Sequence, residues 1–342
     1  MSAVDANAPV RRLPTSIFSA DNLVKRGWCT VATDPQRAPR PHEIYYELHG
    51  EDKPTSTRIV FIMGLNNSSF AWQHQLSYFS SLRSYSVLVF DNRGVGHSDS
   101  PRGAYKTSEL AKDTVELLEH LHWVGKGKVG GEHESANLNI VGVSMGGMIA
   151  QELALLIPHH VRTLLLTSTS ASSSLLPDIP SYASFRMFAL LTSGTIKTPE
   201  AQCSLVAETL FPEDWLDGIS DEEGEWKGKP RRQMVVADLL NRYNVGRRQP
   251  LAGRLGQLAA ALSHRVTPAR LRQLAESLPS TSKVAIIHGT EDKLIHVERA
   301  RELHRHFSGS ELEIVEGGGH ALPSQIRDDY NAWIRGHVER ED

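Results

Sequence analysis

The sequence predicts an α/β fold: a mostly parallel central sheet flanked by helices, with one helical insertion. Three observations carry that reading. Short apolar runs alternate with helical patterns through the first half of the chain. The stretch Gly142-Val143-Ser144-Met145-Gly146-Gly147 joins an apolar run to a helical pattern. After Ser168 the alternation stops, and it resumes only with the apolar run that precedes Asp292.

Taken in order, residues 1–40 are rich in alanine, proline and arginine and read as an N-terminal extension, either a disordered tail or a targeting segment. A basic-then-apolar signal pattern is missing there. Arg11, Arg12, Lys25 and Arg26 keep an organellar presequence as the alternative, although Asp5 and Asp21 interrupt it. Residues 44–48 alternate like an edge strand, and residues 59–63 and 87–90 read as buried strands. Residues 108–118 read as a helix with one apolar face, and residues 126–136 as a glycine-rich, charged surface loop. Residues 138–143 and 161–167 read as strands on either side of a helix that starts near Met148.

Residues 168–180 are rich in serine and proline. Helical fragments with Met, Phe and Trp follow as far as about residue 254, including a charged run at 217–232 that contains Trp226. Residues 251–278 read as helices returning to the core, and residues 284–289 and 312–315 as short strands. The division is therefore 1–40 extension, 41–172 first part of the core, 173–254 helical insertion and 255–342 second part of the core. No internal repeat is visible.

The 342 residues suffice for one large domain with an insertion. A net charge of -3 gives no electrostatic case for nucleic acid or an anionic membrane surface. The two cysteines, Cys29 and Cys203, are far apart, which argues against a disulfide framework and for a reducing compartment, the cytoplasm. No stretch has the length of a transmembrane helix, so no integral membrane association is expected. No spacing of His and Cys suggests a metal. Gly94 and Gly96 lack the rest of a dinucleotide fingerprint, so no cofactor is expected.

The chemistry is legible in three places. Gly142 to Gly146 is a G-x-S-x-G turn between a strand and a helix, which lifts the Ser144 hydroxyl clear of the sheet at a helix N-terminus. Residues 284–289 end at a glycine, and Thr290-Glu291-Asp292 follows, with Asp292 in the loop just past the strand and Glu291 as the rival acid. Residues 312–315 lead into Glu316-Gly317-Gly318-Gly319-His320, which reads as a flexible, open loop carrying a base. A serine hydroxyl is a poor nucleophile until a histidine takes its proton, and a carboxylate orients that histidine. Sixteen histidines make a lone one uninformative; His97, His288 and the pair His159-His160 read as structural.

With this order of serine, acid and histidine, the chain resembles the α/β-hydrolase superfamily, and more narrowly its single-cap esterases, lipases and related small hydrolases. The resemblance runs from about Glu43 to the C-terminus. It rests on the Ser144 turn, on residues 59–65, on Asp91-Asn92-Arg93-Gly94-Val95-Gly96-His97-Ser98, on His288-Gly289-Thr290-Glu291-Asp292 and on Gly319-His320. It implies the α/β-hydrolase fold, with the helical insertion as a cap over the pocket. It implies Ser144, Asp292 and His320 as the catalytic residues, Asp292 being preferred because the family's acid stands third after His-Gly. It implies backbone N–H groups of Leu65 and Met145 as the oxyanion hole.

Many relatives have His-Gly where this chain has Met63-Gly64, and Asn66-Asn67 stands nearby as a replacement for the histidine's hydrogen bonds. Asp91 and Arg93 read as scaffold residues, and Phe70 and Trp72 as core. In the insertion, Phe185, Met187 and Leu190 share one helical fragment whose apolar face would line the pocket.

The expected activity is cofactor-free hydrolysis of a carboxylic ester of a small or medium apolar molecule through an acyl-enzyme. A serine at the turn argues against relatives that use aspartate there, the epoxide hydrolases and haloalkane dehalogenases. Thioester hydrolysis, C–C bond hydrolysis and acyl transfer use the same residues and stay open, as does a non-catalytic binding protein on the same fold. Nothing in the sequence reads as a partner other than a small-molecule substrate, and oligomeric state is not legible.

Overall fold

The computed structural model describes residues 12–37, 40–125, 136–171, 181–222 and 224–340. The glycine-rich loop expected at 126–136 and the Ser/Pro-rich stretch at 168–180 fall largely outside them.

In chain order the elements are β1 (Leu23–Val31), β2 (His42–Gly50), β3 (Thr57–Ile62), α1 (Gln73–Ser81), β4 (Tyr85–Phe90), α2 (Thr107–His120), β5 (Leu138–Val143), α3 (Met145–Leu156) and β6 (Val161–Thr167). Then come α4 (Tyr182–Thr192), α5 (Pro199–Leu210), α6 (Glu213–Asp217), α7 (Arg231–Val245), α8 (Leu251–Leu262) and α9 (Pro268–Ser277). The chain ends with β7 (Lys283–Gly289), α10 (Glu298–His306), β8 (Glu311–Val315), α11 (Leu322–Gln325) and α12 (Arg327–Glu339).

The strands of the described residues form one sheet in the order β1-β2-β4-β3-β5-β6-β7-β8. β1–β2 and β2–β4 are antiparallel and every other pair is parallel. Parallel strands need both faces covered, and their sequences are correspondingly near-continuous apolar runs. Alternate residues feed two separate cores. Ile62, Leu88, Ile140 and Leu166 pack with α2, α3 and α9 on one face. Phe61, Val89, Val141 and Leu165 pack with α1 and α12 on the other. Between β6 and β7 a third, smaller cluster joins Ala207, Phe211, Leu216 and Val235 of the inserted helices.

Two expectations are corrected. Residues 1–40 are not wholly an extension, because β1 lies within them and pairs with β2 from Leu23↔His49 to Val31↔His42. Nor is β2 an edge strand: it has β1 on one side and β4 on the other, and its residues 44–49 are all buried. The pattern misled because β1 buries only its C-terminal end, at Cys29 and Val31, so alternation along it is faint. In α4 none of the residues is fully buried: Phe185 is 67% exposed, and Met187 and Leu190 are half-buried.

Asp91 and Arg93 act as ties. The Asp91 carboxylate accepts the N–H groups of Ser69 and His97, both at 2.8 Å. Arg93 donates twice to Asp113 on α2, at 2.6 Å each, and Arg37 reaches Asp113 (2.8 Å) and Glu109 (3.0 Å) from the other side.

A buried histidine just past α8 is expected to make the fold sensitive to acid. His264 Nδ1 lies 2.9 Å from Thr107 Oγ1. Burial, aided by the Arg270 charge, pushes its pKa from 6.5 down to about 3. Between those values the unfolded chain binds a proton that the folded chain refuses, so stability falls as pH drops through that window. His264→Gln is expected to flatten this part of the stability curve. Urea titrations between about pH 6.5 and pH 4 check it, and equal slopes for the two proteins would refute the assignment.

Candidate active site

β5 ends at Val143, and the chain turns directly into α3 through Ser144, whose backbone has φ 56° and ψ −124°. This is a strained conformation for a residue with a Cβ, of the kind that costs about 1–3 kcal/mol and persists only where its surroundings enforce it. The surroundings here are glycines. A Cβ on Gly142 would overlap the Gly146 carbonyl, and one on Gly146 would overlap the Ile62 carbonyl at the end of β3. Ser144 N–H donates to Thr167 O (2.9 Å), and Thr169 Oγ1 donates to Ser144 O (2.7 Å).

Gly146→Ala therefore has no room. It is expected to lower stability by about 1–3 kcal/mol, as overpacked sites do, and to shift β3 against the Ser144 turn. A melting curve beside the reactivity of Ser144 tests this, and a variant that matches the parent in both refutes it.

The loop after β3 lies against the serine. A Cβ on Gly64 would sit 3.0 Å from Ser144 Cβ and 3.5 Å from its Oγ. Leu65 follows Gly64. Met145 opens α3, so its N–H has no acceptor within the helix. Met63 O accepts from Asn92 Nδ2 at 2.9 Å, and Asn66, at φ 55°, donates its N–H to Gln257 Oε1 at 2.8 Å. Asn66 Oδ1 in turn accepts from Gln249 Nε2 at 3.1 Å.

Asp292 and His320 meet directly. His320 Nδ1 stands 2.8 Å from Asp292 Oδ2, and both side chains are buried. The other carboxylate oxygen accepts the N–H groups of Leu294 (2.8 Å) and Ile295 (2.9 Å). Burial alone would raise the Asp292 pKa; the His320 charge, with hydrogen bonds from His288 and His320, outweighs it and holds the carboxyl well below the usual carboxylate range. A carboxylate on Nδ1 fixes the tautomer in which Nε2 carries the lone pair. Glu291 is exposed, with its N–H on Gly318 O at 2.8 Å.

The strand register sets the placement. Val143 pairs with Thr167, Thr167 with Ile287, and Gly289 with Val315. Ser144, Asp292 and His320 follow these strand ends, so all three emerge at the carboxyl edge of the sheet, where open α/β sheets hold their ligands.

The loop carrying His320 is not open, contrary to the sequence reading. Its backbone is tied down: His320 N–H donates to Leu210 O (2.8 Å), Gly319 N–H to Gln325 Oε1 (2.7 Å), and Gln325 Nε2 to Gly317 O (2.8 Å). The glycines serve close approach, since a Cβ on Gly318 would lie 2.9 Å from Gly289 Cα.

Of the other histidines, His97 packs edge-on against Tyr45 and Phe70, and Phe70 and Trp72 are core residues. His160 is buried and His159 exposed. His288 is more involved than its sequence suggested, because its Nε2 lies 3.2 Å from Asp292 Oδ2 and 2.8 Å from Ile295 O. Only its position four residues before the acid could have flagged it. Gln249 and Gln257 gave no signal at all. Among the described residues no group of three or more His, Cys, Asp or Glu could hold a metal ion, and no helix is long and apolar enough to cross a membrane.

A model of the alpha/beta hydrolase family matches residues 59–333. The 3-oxoadipate enol-lactonase 2 of Acinetobacter baylyi is 30% identical over 272 residues, covering 79% of this chain and 84% of that one. Among solved structures, a hydrolase from Pseudomonas aeruginosa superposes with a TM-score of 0.66 at 20% identity, over 94% of this chain and 100% of the other. An enol-lactonase from Burkholderia xenovorans superposes with a TM-score of 0.64 at 21% identity, over 87% and 97%.

Proposed function

This chain belongs to the alpha/beta hydrolase family, and from that premise we propose that it is a serine hydrolase cleaving carboxylic esters of small or medium apolar molecules through an acyl-enzyme. The observation that carries the proposal is the contact of His320 Nδ1 with Asp292 Oδ2, on the sheet edge where the strained Ser144 turn emerges.

In this reading His320 Nε2 takes the Ser144 proton as Oγ bonds to the ester carbonyl carbon. The carbonyl oxygen becomes an oxyanion held by the N–H groups of Leu65 and Met145. Collapse breaks the bond to the alcohol oxygen, which leaves with the proton from Nε2. Water then gives its proton to Nε2 and attacks the acyl carbon, and the acid departs as Ser144 is reprotonated. Asp292 stays ionised throughout and stabilises the imidazolium. No step calls for a metal or cofactor.

Within the expected cap, 173–254, the described residues from 181 on form the cap of this proposal, with the pocket between them and the sheet edge. Lactone opening follows the same steps, a lactone being a cyclic ester, and the name of the Acinetobacter relative makes lactones the second class to examine. The two buried free thiols, Cys29 and Cys203, fit a reducing compartment such as the cytoplasm.

A fluorophosphonate probe with mass mapping, run beside esters of graded acyl length and a set of lactones, tests the proposal. Labelling at Ser144 with turnover of one class supports it. A protein that resists the probe and turns over neither class overturns the proposal.

A further inference from the structure

Helix α8 lies close against the core. A Cβ on Gly253 would overlap the Gly94 carbonyl, and a Cβ on Gly256 would lie 2.6 Å from Tyr105 Cζ. Two glycines thus let the helix backbone touch the loop after β4. The next residue, Gln257, is fully buried as a result.

Its side chain spans two loops. Oε1 accepts the Asn66 N–H at 2.8 Å, and Nε2 donates to Arg93 O at 2.9 Å. Gln249, just before α8, adds donations to Asn66 Oδ1 (3.1 Å) and Gly94 O (2.9 Å). Asn66 is held at φ 55°, a conformation that needs support in a residue with a Cβ. On the other side of Leu65, Met63 O is fixed by Asn92. Gly64 and Leu65 are therefore suspended between two anchors, one from the loop after β4 and one from α8.

We propose that Gln257 is a positioning residue for the oxyanion hole, holding the Leu65 N–H in place through the hydrogen bond to Asn66. The proposal rests on the serine hydrolase reading above. An oxyanion donor acts only when it stands about 2.7–3.1 Å from where the charge develops, and losing such a donor costs about 10²–10³ in kcat. Loosening its anchor displaces the donor without deleting it, so a loss of about 10-fold or more, short of that full cost, is expected. The glutamine amide is the right group because one side chain must accept from one loop and donate to another.

Gln257→Met removes both bonds at similar size. It is expected to lower kcat and the rate of fluorophosphonate labelling together by about 10-fold or more, with KM changed by less than about 2-fold. A boronic acid that mimics the tetrahedral state should lose affinity in the same proportion. Gln257→Glu keeps the acceptor for Asn66, and its second oxygen, buried against the Arg93 carbonyl, holds its proton and donates as the amide did, so it should recover most of kcat; a purely structural glutamine predicts no such rescue.

A folded Gln257→Met protein with unchanged kcat and labelling overturns the proposal, and so does equal loss of kcat in the glutamate variant. Should neither variant fold, Gln249→Leu decides. Its half-buried amide supports the same asparagine, so kcat should fall several-fold, and an unchanged kcat overturns the proposal. Failure of the hydrolase reading looks different, since the parent protein itself would then resist the probe.

Discussion

Ser144→Ala is expected to abolish both ester hydrolysis and fluorophosphonate labelling while leaving the fold intact. Removal of a nucleophile that works as a unit with its base and acid costs about 10⁶-fold in kcat in the serine protease case, and that is the scale expected here. The fold should survive because what enforces the turn lies outside the Ser144 side chain. Ser144 N–H is held by Thr167 O, Ser144 O by Thr169 Oγ1, and the space is set by Gly142 and Gly146. Alanine at φ 56° carries the same strain as serine. Mass mapping of the labelled peptide and a melting curve are the two measurements. Undiminished labelling of the alanine variant at another serine places the nucleophile elsewhere.

Asp292→Asn should lower kcat by up to about 10⁴-fold, and the geometry says why. One carboxylate oxygen of Asp292 is committed to the N–H groups of Leu294 and Ile295. In an asparagine only the oxygen can accept those bonds, so the NH₂ group is forced toward His320 and His288. His320 Nδ1 must then accept, its proton moves to Nε2, and the nitrogen that should take the serine proton is already occupied. Glu291→Gln should change kcat by less than about 2-fold, because Glu291 is exposed and is not the residue in contact with His320. Steady-state kinetics on both variants decide between the two acids, and a larger loss for Glu291→Gln reverses the assignment.

Much of this molecule was legible because its physics is local. Residues 59–62 and 87–90 are strands buried on both faces, so their sequences show unbroken apolar runs. The Ser144 turn is legible because sterics demand glycine at Gly142 and Gly146. What escaped was set by partners distant in sequence. β1 owes its place to pairing with β2, and β2 reads as an edge only while β1 is unknown. Gln257 looks like any helix-forming residue until Gly253 and Gly256 bring it against the Arg93 and Asn66 loops. The glycines before His320 suggested freedom of movement, whereas Gly318 is crowded between Gly289 and Leu322.

The carbonyl of Leu210 has a wider consequence. It closes α5, an inserted helix, and it accepts the N–H of His320 at 2.8 Å and of Ala321 at 3.3 Å. Gly319 also has the backbone of Leu210 and Phe211 against it, with no room for a side chain between. The insertion is thus welded to the histidine loop by main-chain atoms, which no side-chain substitution removes. Anyone exchanging this insertion for that of a relative, to change what the pocket admits, cannot cut at its outer boundaries alone. The seam has to pass inside, leaving residues 207–212 with the parent chain, or the transplant will misplace the imidazole it was meant to leave untouched.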